Sequence, residues 1–340
     1  MNSIWPPSSV SSLWGVFTLT SLFIAVGGYF LLIYADAIAR RAGLGRHWVG
    51  AVLLATVTSV PELIAGIGSV TVADAPNLAI GEILGSCAFN LCLIFLLDAL
   101  YRKRSVYSKA SHSHLLSGSL GIILMASLIL SLVLRNQQWG FSLAHMGGDS
   151  LLIFIFYIFT MRTLFQFDRT EKKPMETKQS DNNLSLESLI TRYLIASIAV
   201  ILAGLALPLI GNRTVEVMGW NEAFVGTVMI AFATSLPEIA VTLASIRMGT
   251  VDLALANIFG SNMFNVAILA IDDLFYTKGP LLEAVEPIHI MTGLITIMMT
   301  GLVLVALIHN PKKRLLNTVS GLSLLILLLY LLNTLVLYNA

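Results

Sequence analysis

Positions 55–62 read ATVTSVPE, and positions 231–238 read AFATSLPE. Each copy is followed by a second shared phrase, GSCAFN over 85–90 and GSNMFN over 260–265. All four phrases lie in apolar runs. An ionisable group in hydrocarbon is costly, so Glu62 and Glu238 at matched places point to a paired ion site. On a helix Thr58 and Glu62 share one face, as do Ser86 with Asn90 and Ser261 with Asn265. Pro61 has no N–H, so the carbonyl of Val57 loses its helical partner; Pro237 does the same to Ala233. Freed carbonyls are tolerated in a membrane where they line a cavity or meet a cation. The pattern therefore offers carboxylates, amides, hydroxyls and loosened carbonyls. These are the oxygen ligands of hard cations: Ca²⁺ takes about six to eight of them, and Na⁺ favours a similar set. No grouping of His or Cys suits zinc. A single proline more often makes only a kink, and a single small-residue phrase more often serves helix packing. Duplication of the whole constellation favours ion binding over both.

Helices must hold these residues. The chain has 340 residues, 56% hydrophobic and 11% charged, against about 25% charged for a soluble domain. Its apolar runs reach the roughly 20 residues that span a bilayer. An all-α polytopic membrane protein is expected, and a soluble enzyme is disfavoured. The net charge of +1, with no basic stripe interleaved with aromatics, gives no case for nucleic acid. Ten spans are predicted, at 13–34, 47–71, 76–100, 115–134, 147–167, 190–211, 221–246, 251–276, 286–309 and 315–338. They divide the chain into a first five-helix repeat over 1–167, a polar cytoplasmic linker over 168–189, and a second five-helix repeat over 190–340. The duplicated phrases fall within about 47–100 and about 221–276. With the N-terminus outside, all 20 Lys and Arg except Arg135, Arg213 and Lys278 fall on inner connections. That is the positive-inside asymmetry, so both termini are expected outside. Five spans per half is an odd number. The halves then insert in opposite senses, as an inverted repeat with its site at the midplane. Met1–Ser12 carries no Lys or Arg, so the first apolar run is expected to stay as a helix. Cys87 and Cys92 lie five apart on one predicted helix and do not face each other well enough to bridge.

The paired phrases resemble the α-repeats of the cation/calcium exchanger superfamily, which includes sodium/calcium exchangers. The resemblance covers the ten-span plan and is strongest over 52–98 and 228–273. It implies that Glu62 and Glu238 bind Ca²⁺ in competition with Na⁺. It further implies that Thr58 and Thr234 give backbone carbonyls to Ca²⁺. Ser59, Ser235, Ser86 and Ser261, with the carbonyls of Ala55 and Ala231, would line flanking Na⁺ positions. Asn90 and Asn265 would complete the set. The first and sixth spans would slide together to gate access from either side. The expected partners are inorganic cations and the lipid bilayer, with no cofactor, in a monomer of a bacterial or archaeal plasma membrane.

Several residues depart from that family. Many similar exchangers carry Asp where this chain has Asn265, so Glu62 and Glu238 supply at most two negative charges. One Ca²⁺, two Na⁺ or two H⁺ would neutralise them. Three-Na⁺ coupling and proton coupling both stay open. Glu82 stands where Asn257 stands in the second half. It is read either as an access-path carboxylate near the outer mouth or as a helix N-terminal acid favoured by the macrodipole. Cys87 replaces the Asn retained at 262 and reads as a small packing residue. Asp98 and Asp273 are repeat mates read as interfacial caps. His112 and His114 are expected to be solvated, His289 interfacial, and His145 and Asp149 without a clear partner. The linker is too short for a regulatory calcium-binding domain and holds no EF-hand pattern. The leading function is Ca²⁺/Na⁺ antiport; the alternative is exchange of Ca²⁺ or another divalent cation for protons. A non-transporting scaffold, a channel and a membrane enzyme rank lower.

Overall fold

The computed structural model describes residues 9–41, 54–101, 105–108, 110–111, 113–170, 185–311, 315 and 318–340. The described chain is almost wholly helical. Helix α1 is Val10–Arg41. Two short helices, α2 (Ala55–Thr58) and α3 (Val60–Thr71), follow with a break at Ser59. Helix α4 is Pro76–Leu100, α5 is Ser113–Asn136 and α6 is Gly148–Thr170. Helix α7 runs Leu186–Met218. The pair α8 (Glu222–Thr234) and α9 (Leu236–Met248) bends by 48° at Ser235. Helix α10 is Val251–Phe275, α11 is Ile288–His309 and α12 is Gly321–Asn339. Eight of these helices are long and apolar enough to cross a membrane, or nine if α8 and α9 are one span.

The spans expected from the third onward fall on observed helices, although the sixth is longer at both ends, Leu186–Met218, and the tenth begins six residues later, at Gly321. The second span is expected over 47–71; its first part lies outside the described residues, which begin again at Leu54. Most of the 168–189 linker also lies outside them, as do His112 and the basic residues Arg46, Arg102, Lys103, Arg104 and Lys109.

Local chemistry explains the boundaries. Pro76 opens α4 at a position where a missing N–H costs nothing. Ser185 caps α7 by accepting from Ser188 N, and Ser320 caps α12 by accepting from Ser323 N. Helices α7 and α9 end on Gly219 and Gly249, at φ 68° and 69°, where glycine has no Cβ penalty.

Helices α4 and α10 are the most enclosed: Ile80, Ile83, Leu84, Leu91, Ile94 and Leu97 on α4, and Leu255, Ile258, Ala267 and Ile268 on α10, are fully buried. A helix apolar on all sides belongs inside a bundle. The opposite holds at the periphery, where Leu152, Ile155, Ile158 and Phe159 of α6 and Leu328, Leu331 and Leu335 of α12 are exposed, as lipid-facing residues should be. Helix α1 packs along α7. Its Gly27 lies against Val200, and its Gly28 lies so near Pro237 that an added Cβ would overlap the ring.

The connections gather at two ends. At one end Lys278 pairs with Asp74, Arg135 with Glu283 and Asp149, and Asn77 Oδ1 accepts from Glu286 N at 2.8 Å. At the other end Asp252 accepts from Ser111 N at 2.7 Å, and Asp98 accepts from Ser320 N at 2.8 Å.

Candidate cation site

The break at Ser59 (φ −91°, ψ 13°) follows from Pro61, and the one at Ser235 (φ −83°, ψ 11°) from Pro237. Each break turns a TSxPE phrase inward. Thr58, Ser59 and Glu62 are fully buried, and so are Thr234, Ser235 and Glu238. Ser86, Asn90, Ser261 and Asn265 are buried with them, because α4 and α10 cross the broken helices at the centre of the bundle. Close approach needs glycine: a Cβ on Gly85 would overlap the carbonyl oxygen of Thr227. Thr227 lies in a π-helical turn over Val225–Ile230, a local widening often found at functional sites.

The hydroxyls cross between the halves. Ser235 Oγ donates to Glu62 Oε1 at 3.1 Å, and Ser59 Oγ donates to Glu238 Oε1 at 3.4 Å. Ser261 Oγ also donates to Glu238 Oε1, at 3.3 Å, and lies 3.5 Å from the carbonyl of Ala55. Thr58 Oγ1 is 3.3 Å from Ser261 Oγ, and its mate Thr234 Oγ1 is 3.4 Å from Ser86 Oγ. The carbonyl of Ala231 lies 3.3 Å from Thr234 Oγ1. These contacts bring ten of the twelve residues singled out from the sequence together in one buried region; Asn90 and Asn265 are buried on the same two helices, α4 and α10, with no side-chain hydrogen bond to the other ten among the described residues.

Much of the donor set is unspent. Among the described residues, Glu62 Oε2, Glu238 Oε2, Asn90 Oδ1 and both amide atoms of Asn265 have no hydrogen-bond partner. A buried polar atom without a partner costs about 1–3 kcal/mol, more if charged, so the unbonded oxygens among these fit a hard cation as their complement. Among the described residues no three His, Cys, Asp or Glu side chains converge into a ready-made cage. The oxygens are instead shared among carboxylates, hydroxyls, amides and carbonyls.

The structure corrects several expectations. Glu82 lies in the second turn of α4, toward the expected end, but enclosed rather than open. It is fully buried, and Thr234 Oγ1 donates to its Oε1 at 3.0 Å. The threonine has one proton, and this acceptor is the nearest of the four within reach. In the other half Thr58 Oγ1 meets Asn257 Oδ1 at 3.4 Å, so Glu82 and Asn257 hold equivalent places. His114 is not solvated: it is buried, with Nε2 3.0 Å from Asp252 Oδ1 and its ring stacked on Phe259. His289, in the first turn of α11 at the end marked by Asn77, is fully buried in protein, with Nε2 3.1 Å from Asn77 Oδ1. Asp149 does have a partner, Arg135 at 2.5 Å, and His145 Nε2 lies 3.0 Å from the carbonyl of Leu274. The partners of the three histidines lie more than a hundred positions away, which local sequence does not reveal. Cys87 is fully buried and, like Cys92, carries no disulfide.

Two partners escape a reading of the sequence. Asn262 bridges the crossing helices: its Nδ2 donates to the Cys87 carbonyl at 3.0 Å, and its Oδ1 accepts from Asn90 Nδ2 at 3.1 Å. Asp272 is fully buried on α10, with neither carboxylate oxygen bonded among the described residues. Its signal is present in the chain: an acid stands in one half where the other half has Leu97.

The profile of the sodium/calcium exchanger protein family matches residues 12–165 and 188–338. The chain is 28% identical over 244 residues to inner membrane protein YrbG of Escherichia coli, covering 70% of this chain and 72% of that one. It is 26% identical over 300 residues to sodium/calcium exchanger MaX1 of Methanosarcina acetivorans, covering 77% and 82%. A solved structure of the sodium-calcium exchanger NCX_Mj, soaked with Na⁺ and Sr²⁺, superposes with a TM-score of 0.60 at 22% identity, covering 95% of this chain and 98% of that one. This likeness is one of fold.

Proposed function

The chain belongs to the sodium/calcium exchanger protein family, and from that premise we propose that it is a secondary antiporter exchanging Ca²⁺ for Na⁺ across the membrane by alternating access. One observation carries the reading: the crossed bonds from Ser235 to Glu62 and from Ser59 to Glu238, each leaving the second carboxylate oxygen free for an ion. Glu62 and Glu238 bind the transported cation. Asn90, Asn265, the hydroxyls of Ser59, Ser235, Ser86 and Ser261, and the carbonyls of Thr58, Thr234, Ala55 and Ala231 supply further oxygens. Two carboxylates hold one Ca²⁺ or a set of Na⁺, and competition for the same oxygens couples the fluxes.

The architecture proposed is ten spans in two inverted repeats, 1–167 and 190–340, joined by a cytoplasmic linker over 168–189, with both termini outside. The gathering of connections at two ends supports it, since Arg135 and Lys278 share the end assigned to the outside. The matched pairs around Thr58 and Thr234 support the inversion. Helices α1 and α7 form the sliding pair, α1 pressed on Pro237 through Gly28 and α7 facing Ile64 through Gly204. The working unit is the monomer.

A second reading, Ca²⁺/H⁺ exchange, is favoured by Asn265, which limits the negative charge that several Na⁺ would need. Purified protein in liposomes separates the two. Ca²⁺ uptake driven by an outward Na⁺ gradient is expected; uptake driven by a pH gradient alone would replace Na⁺ by H⁺. Absence of flux with either gradient, or full flux after Glu238→Gln, would overturn the antiporter itself.

A further inference from the structure

The outer half of the bundle carries two buried acids that the inner half lacks. Glu82 lies in the second turn of α4, near the end marked by Asn77 and Glu286. Asp272 lies in the last turn of α10, beside Asp273, at the same end. Both are fully buried. Their repeat mates are Asn257 and Leu97, one neutral and one apolar. Asp272 is pressed on the backbone of α3: a Cβ on Gly66 would overlap its Oδ2. One turn further along that face of α3 is Ser69, buried, with its hydroxyl unbonded among the described residues. Beside Glu82, where Gly226 approaches its backbone nitrogen, Thr227 Oγ1 is also buried and unbonded. Glu82 Oε2 and both oxygens of Asp272 complete a set of unbonded oxygens on packed helices α3, α4, α8 and α10. Helices α4 and α10, which carry Glu82 and Asp272, pack directly against each other.

Charge completes the argument. Glu62, Glu82, Glu238 and Asp272 are all fully buried. At about 2.5–3.5 kcal/mol each on insertion scales, four acids would cost on the order of 10 kcal/mol, comparable with a domain's whole stability. The basic groups buried among the described residues are committed elsewhere: Arg135 to Asp149 and Glu283, His114 to Asp252, His289 to Asn77. One divalent ion at the midplane balances two of the four carboxylates.

We propose that Glu82 and Asp272, with the hydroxyls of Ser69 and Thr227, form a second hard-cation position fitted to Ca²⁺, lying between the midplane site and the end that carries Lys278 and Arg135. The proposal rests on the antiporter reading only in that Glu62 and Glu238 take the first ion. The position exists on one side of the midplane alone, so the cargo stages there before or after occupying the central oxygens.

Equilibrium binding of Ca²⁺ to the purified full chain in Na⁺-free detergent tests it. The native chain is expected to bind two equivalents. Asp272→Asn and Asp272→Leu, the latter matching Leu97, are expected to bind one, as is Glu82→Gln; Glu238→Gln is expected to lose the central ion and keep the outer one. Elution as a monodisperse peak and helical circular dichroism qualify each variant, and Glu82→Gln decides if the Asp272 variants fail to fold. One equivalent in the native chain, unchanged in Asp272→Asn and absent in Glu238→Gln, overturns the second position and leaves the antiporter standing. No binding in the native chain overturns both.

Discussion

Glu62 and Glu238 each keep one oxygen tied to a hydroxyl from the opposite half and one oxygen free. Removing the tying hydroxyl should weaken ion binding without abolishing it, because a hydrogen bond to a charged group contributes about 1.5–3 kcal/mol. Ser235→Ala and Ser59→Ala are therefore expected to raise the Ca²⁺ concentration for half-maximal uptake by roughly tenfold to a hundredfold. Equal affinity in both variants and the native chain would show that these serines do not shape the site. The main ligand candidates are legible because they occur twice, and duplication separates an ion site from a kink. The place of Glu82 near one end is legible from its position along α4, whereas its partner Thr234 is not, because it comes from another helix. Asp272 is missed because a search for matched acids passes over an acid whose mate is Leu97. The histidines mislead for a similar reason: Asp252 and Asn77 lie far from His114 and His289 in the chain.

The helix breaks act through two prolines. Restoring the N–H with Pro237→Ala lets the helix reclaim the Ala233 carbonyl and straighten. Flux is expected to fall at least tenfold while the melting temperature in detergent holds or rises; unchanged flux would separate the bend from transport. The α1–Pro237 contact offers a second test. At Gly28 an added methyl meets the proline ring, and such overpacking costs about 1–3 kcal/mol. Gly28→Ala is therefore expected to slow exchange more than it lowers binding, read as turnover against Ca²⁺ affinity. Element boundaries are readable from Pro76, Ser185, Gly219 and Gly249, whose backbone chemistry is local. The π-helical turn at Val225–Ile230 is not, since it answers to the close passage of Gly85 on another helix.

Across the whole molecule, two aspartates tie the far ends together in a matched way. Asp98 accepts from Val106 N in its own following loop and from Ser320 N and Ser323 Oγ at the start of the last helix. Asp273 accepts from Leu281 N in its own following loop and from Gly147 N, just before α6. Their reading as caps is right in kind, although the sequence does not reveal that each cap joins the two halves. Asp98→Ala and Asp273→Ala each strand two or more buried donors, at about 1–3 kcal/mol per donor. Each is expected to lower the melting temperature by several degrees, and a change under one degree in both would dismiss the ties. The crossed serines have a consequence for biosynthesis. Glu62 and its donor Ser235 are separated by 173 positions, so at about 5–20 residues per second translation takes roughly ten to thirty-five seconds to deliver the donor. Until then the first half sits in the bilayer with its acid uncovered, and the crossed bonds close only after more than two thirds of the chain has been made.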